Sequence, residues 1–198
     1  MSTTEDSGWG HSGPGDESGR VFHLLGRLWL EPPDEALLEE VATWATRWRA
    51  ADPPAEIDAA LKPLAAVDPE DATRLNEAFT RLVRGVLPGS PDPPYESLYR
   101  DGALEGPSGA AVRSAYRSAG VDLAPESGEL ADHLGIECHF VGTLRERGDT
   151  ADADAFLAEH PSQWVGEFAA SVRERDPPPF YRGLLTLTEI ALSGEVPA

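Results

Sequence analysis

Apolar residues recur along this chain at spacings of three and four, the period that gathers side chains on one face of an α-helix. Val21, Phe22, Leu24, Leu25, Leu28 and Trp29 make the first such stripe, and Pro32-Pro33 ends it. Asp34 is placed to cap a second helix carrying Leu37, Leu38, Val41, Trp44, Ala45 and Trp48, and the two are expected to pair as a hairpin. A shorter helical piece from Ala55 to Val67 is weakened by Pro63. Asp68-Pro69 then opens a helix bearing Leu75, Phe79, Leu82, Val83 and Val86.

From Leu87 to Gly106 the pattern gives way to Pro, Gly, Ser and Asp, which predicts a loop held in order by its aromatic residues. Pro107 to Gly120 predicts a short helix around Val112 and Tyr116. A longer helix from about Gly128 to Arg147 follows, with Ser127 as its cap. Ala153–Glu159, Ser162–Arg173 and Tyr181–Leu192 complete the set, the last after Pro177-Pro178-Pro179. Sustained alternation suited to strands is missing, and so is any internal repeat. The expected architecture is all-α: one helical bundle of about eight or nine helices over residues 19–193, flanked by a disordered acidic tail at 1–18 and a C-terminal tail at 194–198. Trp29, Trp44, Trp48 and Trp164 fall on apolar faces and are expected in the core.

Within the long helix, Glu129, Asp132 and His133 stand at i, i+3 and i+4, with Glu137 four residues on, so a helix through them would carry a polar stripe. That stripe is the expected contact face. His133 with Glu129 or Glu137 has a spacing that can hold a metal, but a carboxylate–histidine hydrogen bond is far commoner, and no metal or cofactor is assigned. Carboxylates near a helix start are fixed anionic acceptors, suited to the planar fork of a guanidinium group. The alternative at the same residues is structural, with Asp132 and His133 bonded to each other or to the Pro-rich loop.

Net charge is −19, and Lys62 is the only lysine, a bias of halophile-type acidic proteins. Such a surface repels phosphate backbones and anionic lipid, which argues against nucleic-acid or membrane partners. At 1 M salt electrostatic reach shortens to roughly 3 Å, so a binding site would need apolar contact as well. Cys138 is the single cysteine and is expected to pack inside. Neither a secretory leader nor an apolar run of membrane-spanning length is present, which predicts a cytoplasmic protein. Phosphate-cradling loops, nucleophile elbows and paired zinc histidines are missing too, so an enzyme is not expected. The enzymatic alternative is a small helical hydrolase using Glu129, Asp132 and His133 as acid–base groups.

Three segments in order resemble the TorD/DmsD/NarJ-like family of molybdoenzyme-specific chaperones, also called redox enzyme maturation proteins. They are Phe79-Thr80-Arg81-Leu82-Val83 followed by Pro88-Gly89 and Pro93-Pro94-Tyr95-Glu96-Ser97-Leu98-Tyr99; Glu129-Leu130-Ala131-Asp132-His133-Leu134; and Phe156-Leu157 with His160, Trp164 and Phe168. Ala131 stands where the family commonly has proline, and Val83 where an aromatic residue is usual. The resemblance implies a helical chaperone, TorD-like in fold, for the twin-arginine signal peptide of a molybdenum-cofactor oxidoreductase of the dimethyl sulfoxide or trimethylamine oxide reductase type. A nitrate reductase client is the alternative. By position it implies a peptide site of Asp132 and His133, with Glu129 nearby and Tyr95, Glu96 and Tyr99 as a loop wall. For the two tyrosines, simple loop anchoring stays equally open. The Pro-rich loops would permit oligomers by segment exchange, though nothing in the sequence requires it.

Overall fold

Ten α-helices and no strand form among the described residues, 14–121 and 128–194 of the computed structural model. They are α1 (Pro14–Leu30), α2 (Glu35–Arg49), α3 (Ala55–Ala65), α4 (Ala72–Leu82), α5 (Glu96–Asp101), α6 (Pro107–Ser118), α7 (Leu134–Arg147), α8 (Thr150–Glu159), α9 (Val165–Arg173) and α10 (Pro179–Leu192). The helical class is as expected. The tenth helix is α5, one and a half turns inside the segment read as loop.

The caps read from the sequence at two positions are made. The Asp34 side chain accepts from the Leu37 amide at 2.8 Å, and Asp68 accepts from Glu70 at 3.0 Å ahead of a 3₁₀ turn. Helix α1, however, opens at Pro14, inside the expected tail, since a proline in the first turn gives up an N–H that would be unpaired anyway. Helix α4 ends at Leu82, leaving Val83 buried at its end and Val86 outside it, 67% exposed.

The expected α1–α2 hairpin does not form. Helix α1 packs along α7, while α2 lies on α3, which in turn lies on α10. Glycines explain the choice. Gly19 and Gly26 on α1 face Gly142 and Gly135 on α7, each pair seven residues apart along its helix. A Cβ at Gly26 would stand 2.8 Å from the Gly135 carbonyl oxygen, and one at Gly142 would stand 2.9 Å from the Gly19 oxygen, so the two backbones approach as only glycine permits. Between α1 and α2 there is instead an open groove of about 750 Å³, floored by Leu24 and Trp44 and bridged by an Arg27–Glu40 ion pair of 2.6 Å.

One continuous core joins the helices. Trp29 is buried, packs edge-on to Phe168 and donates through Nε1 to Thr188 Oγ1 at 3.0 Å, tying α1 to α10. Tyr116 packs at a tilt against Phe140 and Phe156 and donates to the Ala131 carbonyl at 2.9 Å. Cys138 and Trp164 are buried as expected, but Trp44 and Trp48 are only half-buried, Trp44 because it lines the open groove.

Candidate functional site

Prolines set the site. Pro93-Pro94 holds the chain extended, and the residues after it pair with the segment before α7 as a single antiparallel bridge between Tyr95 and His133. The Glu96 amide donates to the Asp132 carbonyl at 2.9 Å, and the Leu134 amide donates to the Pro94 carbonyl at 2.9 Å. His133 is therefore extended, with φ −75° and ψ 133°, and acts as the N-cap of α7. This overturns the expected helix from Gly128: the helix starts only at Leu134, and Glu129, Asp132 and His133 share no helical face, because the backbone of Asp132 and His133 is committed to the bridge and Glu129 lies in a bend before it. Ser127, the expected cap, lies outside the described residues.

Extended backbone sends neighbouring side chains to opposite sides. Tyr95 turns outward and Glu96 inward. Glu96 is fully buried, paired to Arg100 at 2.5 Å and 3.1 Å from His160 Nδ1 through both oxygens. It is not part of a loop wall. Tyr99 also faces away from Tyr95: its ring stacks on Trp164 at 5.3 Å, and its hydroxyl donates to the Asp92 carbonyl at 2.7 Å. Loop anchoring accounts for it.

Asp132 and His133, expected on an accessible stripe, are 0% and 5% exposed. Asp132 Oδ2 accepts from the Ser97 amide at 2.9 Å, where α5 has no cap of its own, so Asp132 caps α5 from across the chain. Its Oδ1 has no hydrogen-bond partner. The His133 Nδ1 accepts from the Gly135 amide at 3.1 Å, and burial lowers its pKa to about 4, so the ring is neutral with its proton on Nε2. A hydrolase built on Glu129, Asp132 and His133 loses its footing here, since backbone amides already occupy Asp132 Oδ2 and His133 Nδ1.

The accessible acid is Glu129, its side chain 18% exposed. One oxygen accepts from Tyr95 Oη, and the other lies 3.1 Å from Arg84 Nη1. Burial, with Glu129 next, pushes the Tyr95 phenol well above its usual range, so it stays a donor. Beside this trio opens a groove of about 180 Å³ lined by Trp29, Phe79, Val83, Arg84, Val86, Pro93, Tyr95 and His133. It is smaller than the α1–α2 groove, yet two of its lining residues, Arg84 and Tyr95, bond the part-buried Glu129 carboxylate. His133 meets Tyr95 edge-on at 5.0 Å and so holds that wall upright.

Sequence reasoning missed Arg84 and the nature of Glu137. Glu137 is fully buried, with neither oxygen hydrogen-bonded, and burial, then Glu96 and Asp132, push its carboxyl well above the usual range. Its position one turn into a helix whose other face is equally apolar was the available signal. Among the described residues no group of three ligating side chains is placed to hold a metal, and no helix is long and apolar enough to cross a membrane.

The model of the family described as nitrate reductase delta subunit matches residues 37–170. The chain belongs to that family. Every polar group around the groove, from Arg84 to His133, falls inside the matched span of the nitrate reductase delta subunit family. Among curated relatives, the chaperone protein TorD of Shewanella pealeana is 26% identical over 85% of this chain and 83% of its own length. The Tat proofreading chaperone DmsD of Salmonella typhi is 27% identical, covering 90% and 88%. The chaperone protein YcdY of Escherichia coli is 28% identical, covering 87% and 90%. All three are chaperones by name rather than enzymes, in agreement with reading this chain as a non-enzyme. A crystal structure from Archaeoglobus fulgidus, assigned as a redox enzyme maturation protein, shares the fold with a TM-score of 0.59 at 21% identity, over 93% of this chain and 98% of that one.

Proposed function

We propose that this chain is a cytoplasmic chaperone that binds the twin-arginine signal peptide of a molybdenum-cofactor oxidoreductase, of the dimethyl sulfoxide or trimethylamine oxide reductase type, and assists its maturation before export. One observation carries the reading: a part-buried carboxylate, Glu129, is bonded to Arg84 and Tyr95, two of the residues lining a groove whose apolar wall is Trp29, Phe79, Val83 and Pro93. A guest with arginines beside an apolar run matches both halves of that surface. Glu129 meets the guanidinium and the groove takes an apolar side chain. Asp132 and His133 act from behind, one capping α5 and the other bracing Tyr95.

Titration with a twin-arginine peptide and its twin-lysine variant tests this, since an ammonium cannot reproduce the planar fork. The arginine peptide is expected to bind measurably tighter. Indifference to both peptides rejects the proposal. A second client, a nitrate reductase catalytic subunit, is favoured by the description of the matching family. Comparing peptides from the two reductase types on the same protein separates the two clients.

A further inference from the structure

Glu129 is already occupied by an arginine of the chain itself. Arg84 follows the end of α4, its guanidinium 3.1 Å from Glu129 Oε1 and 5.4 Å from the centroid of the Phe79 ring, while its side chain remains 44% exposed. It lines the groove and has no other ion-pair partner among the described residues. Its contact with the carboxylate is single, through Nη1, because Tyr95 holds the second oxygen.

We infer that Arg84 is a latch: an internal stand-in for a guest arginine that occupies Glu129 while the groove is empty and is displaced when a guest guanidinium arrives. This rests on the peptide-binding reading above and adds its regulation. Like is exchanged for like, so the part-buried carboxylate is never left without a cation during the swap, which is the costly alternative. The resident contact is weak, being exposed, single-pronged and held on a long side chain. A guest fork can engage the carboxylate through two parallel bonds. The Arg84 side chain has solvent to swing into, being 44% exposed beside Val86, which is 67% exposed. Cations that cannot form the fork gain less from the exchange and leave the latch closed more often, so the resident arginine acts as a threshold on what is admitted.

The test is calorimetric titration of the twin-arginine peptide into the full chain and into Arg84→Ala, Arg84→Gln, Glu129→Gln and the Arg84→Ala/Glu129→Gln double variant. Arg84→Ala and Arg84→Gln are expected to bind about two- to fivefold tighter than the parent, the share an exposed ion pair withholds. In the Glu129→Gln background that gain should vanish, which a general loosening of the loop would not produce. If the parent binds while both Arg84 variants bind equally or more weakly, the latch is wrong and the peptide reading stands. If neither the parent nor the Arg84 variants bind, the peptide reading itself fails and the latch with it.

Discussion

Gly26→Ala tests the packing that puts the groove walls in place. The added methyl would sit 2.8 Å from the Gly135 carbonyl oxygen and 2.9 Å from the His139 ring, and a backbone carbonyl in the facing helix cannot swing away. Overpacking of this kind costs about 1–3 kcal/mol, and two simultaneous contacts argue for the upper part of that range. Replacing a mid-helix glycine returns up to about 1 kcal/mol of helix propensity. The net loss is about 2 kcal/mol, which for a chain of this size lowers the melting temperature by about 4–8 °C. Gly166→Ala is the matched control: Gly166 lies in α9, exposed, and a Cβ there meets nothing within 4 Å. The same chemical change should there leave stability level or raise it by up to about 1 kcal/mol. Urea denaturation at constant m-value, with thermal melts by circular dichroism, reads both. Gly26→Ala as stable as Gly166→Ala would refute the close α1–α7 approach, and with it the argument for how α1 carries Trp29 to the groove.

Asp132→Ala removes the side-chain acceptor that caps the start of α5 and should cost about 1.5–3 kcal/mol in urea denaturation, with a loss of peptide affinity as Tyr95 shifts. Unchanged stability would mean that the Ser97 amide is capped otherwise. Glu137→Gln addresses pH. Burial holds the folded pKa of Glu137 well above the ordinary glutamate value, so its contribution is complete below that ordinary value and is lost as pH rises toward the folded pKa, where the unfolded chain ionises and the folded one does not. The variant should therefore gain on the parent as pH rises above the usual carboxylate range, relative to their difference at pH 4. Parallel stability curves would show that Glu137 ionises normally in the fold, despite facing Glu96 and Asp132.

Helix identity was legible because it depends on local period and on proline punctuation, and both are written along the chain. Asp34 and Asp68 cap as their spacing says. Contacts between helices were less legible. Gly19/Gly26 and Gly135/Gly142 are two heptad-spaced pairs lying far apart in sequence, and an apolar stripe does not by itself say which neighbour covers it. The site failed at one point of backbone. Glu129 to Glu137 reads equally well as helix, and only the distant Pro93–Glu96 segment, which takes up the Asp132 carbonyl and the Leu134 amide, forces His133 out of helical geometry. From that one change follows the burial of Asp132 and His133, which leaves Glu129 as the accessible acid of the three. The inward turn of Glu96 is the same bridge seen from its other strand. Arg84 carried no signal, since an arginine after a helix end is ordinary.

Heteronuclear NMR of the labelled chain during titration with the twin-arginine peptide tests the account most directly, because it reads every groove of the chain at once. Saturable amide shifts centred on Arg84, Val86, Tyr95, Glu129 and His133, with Trp44 and Arg47 of the larger α1–α2 groove unmoved, are the result the account predicts. Shifts confined to the α1–α2 groove, or no saturable shift at any peptide concentration, would contradict it.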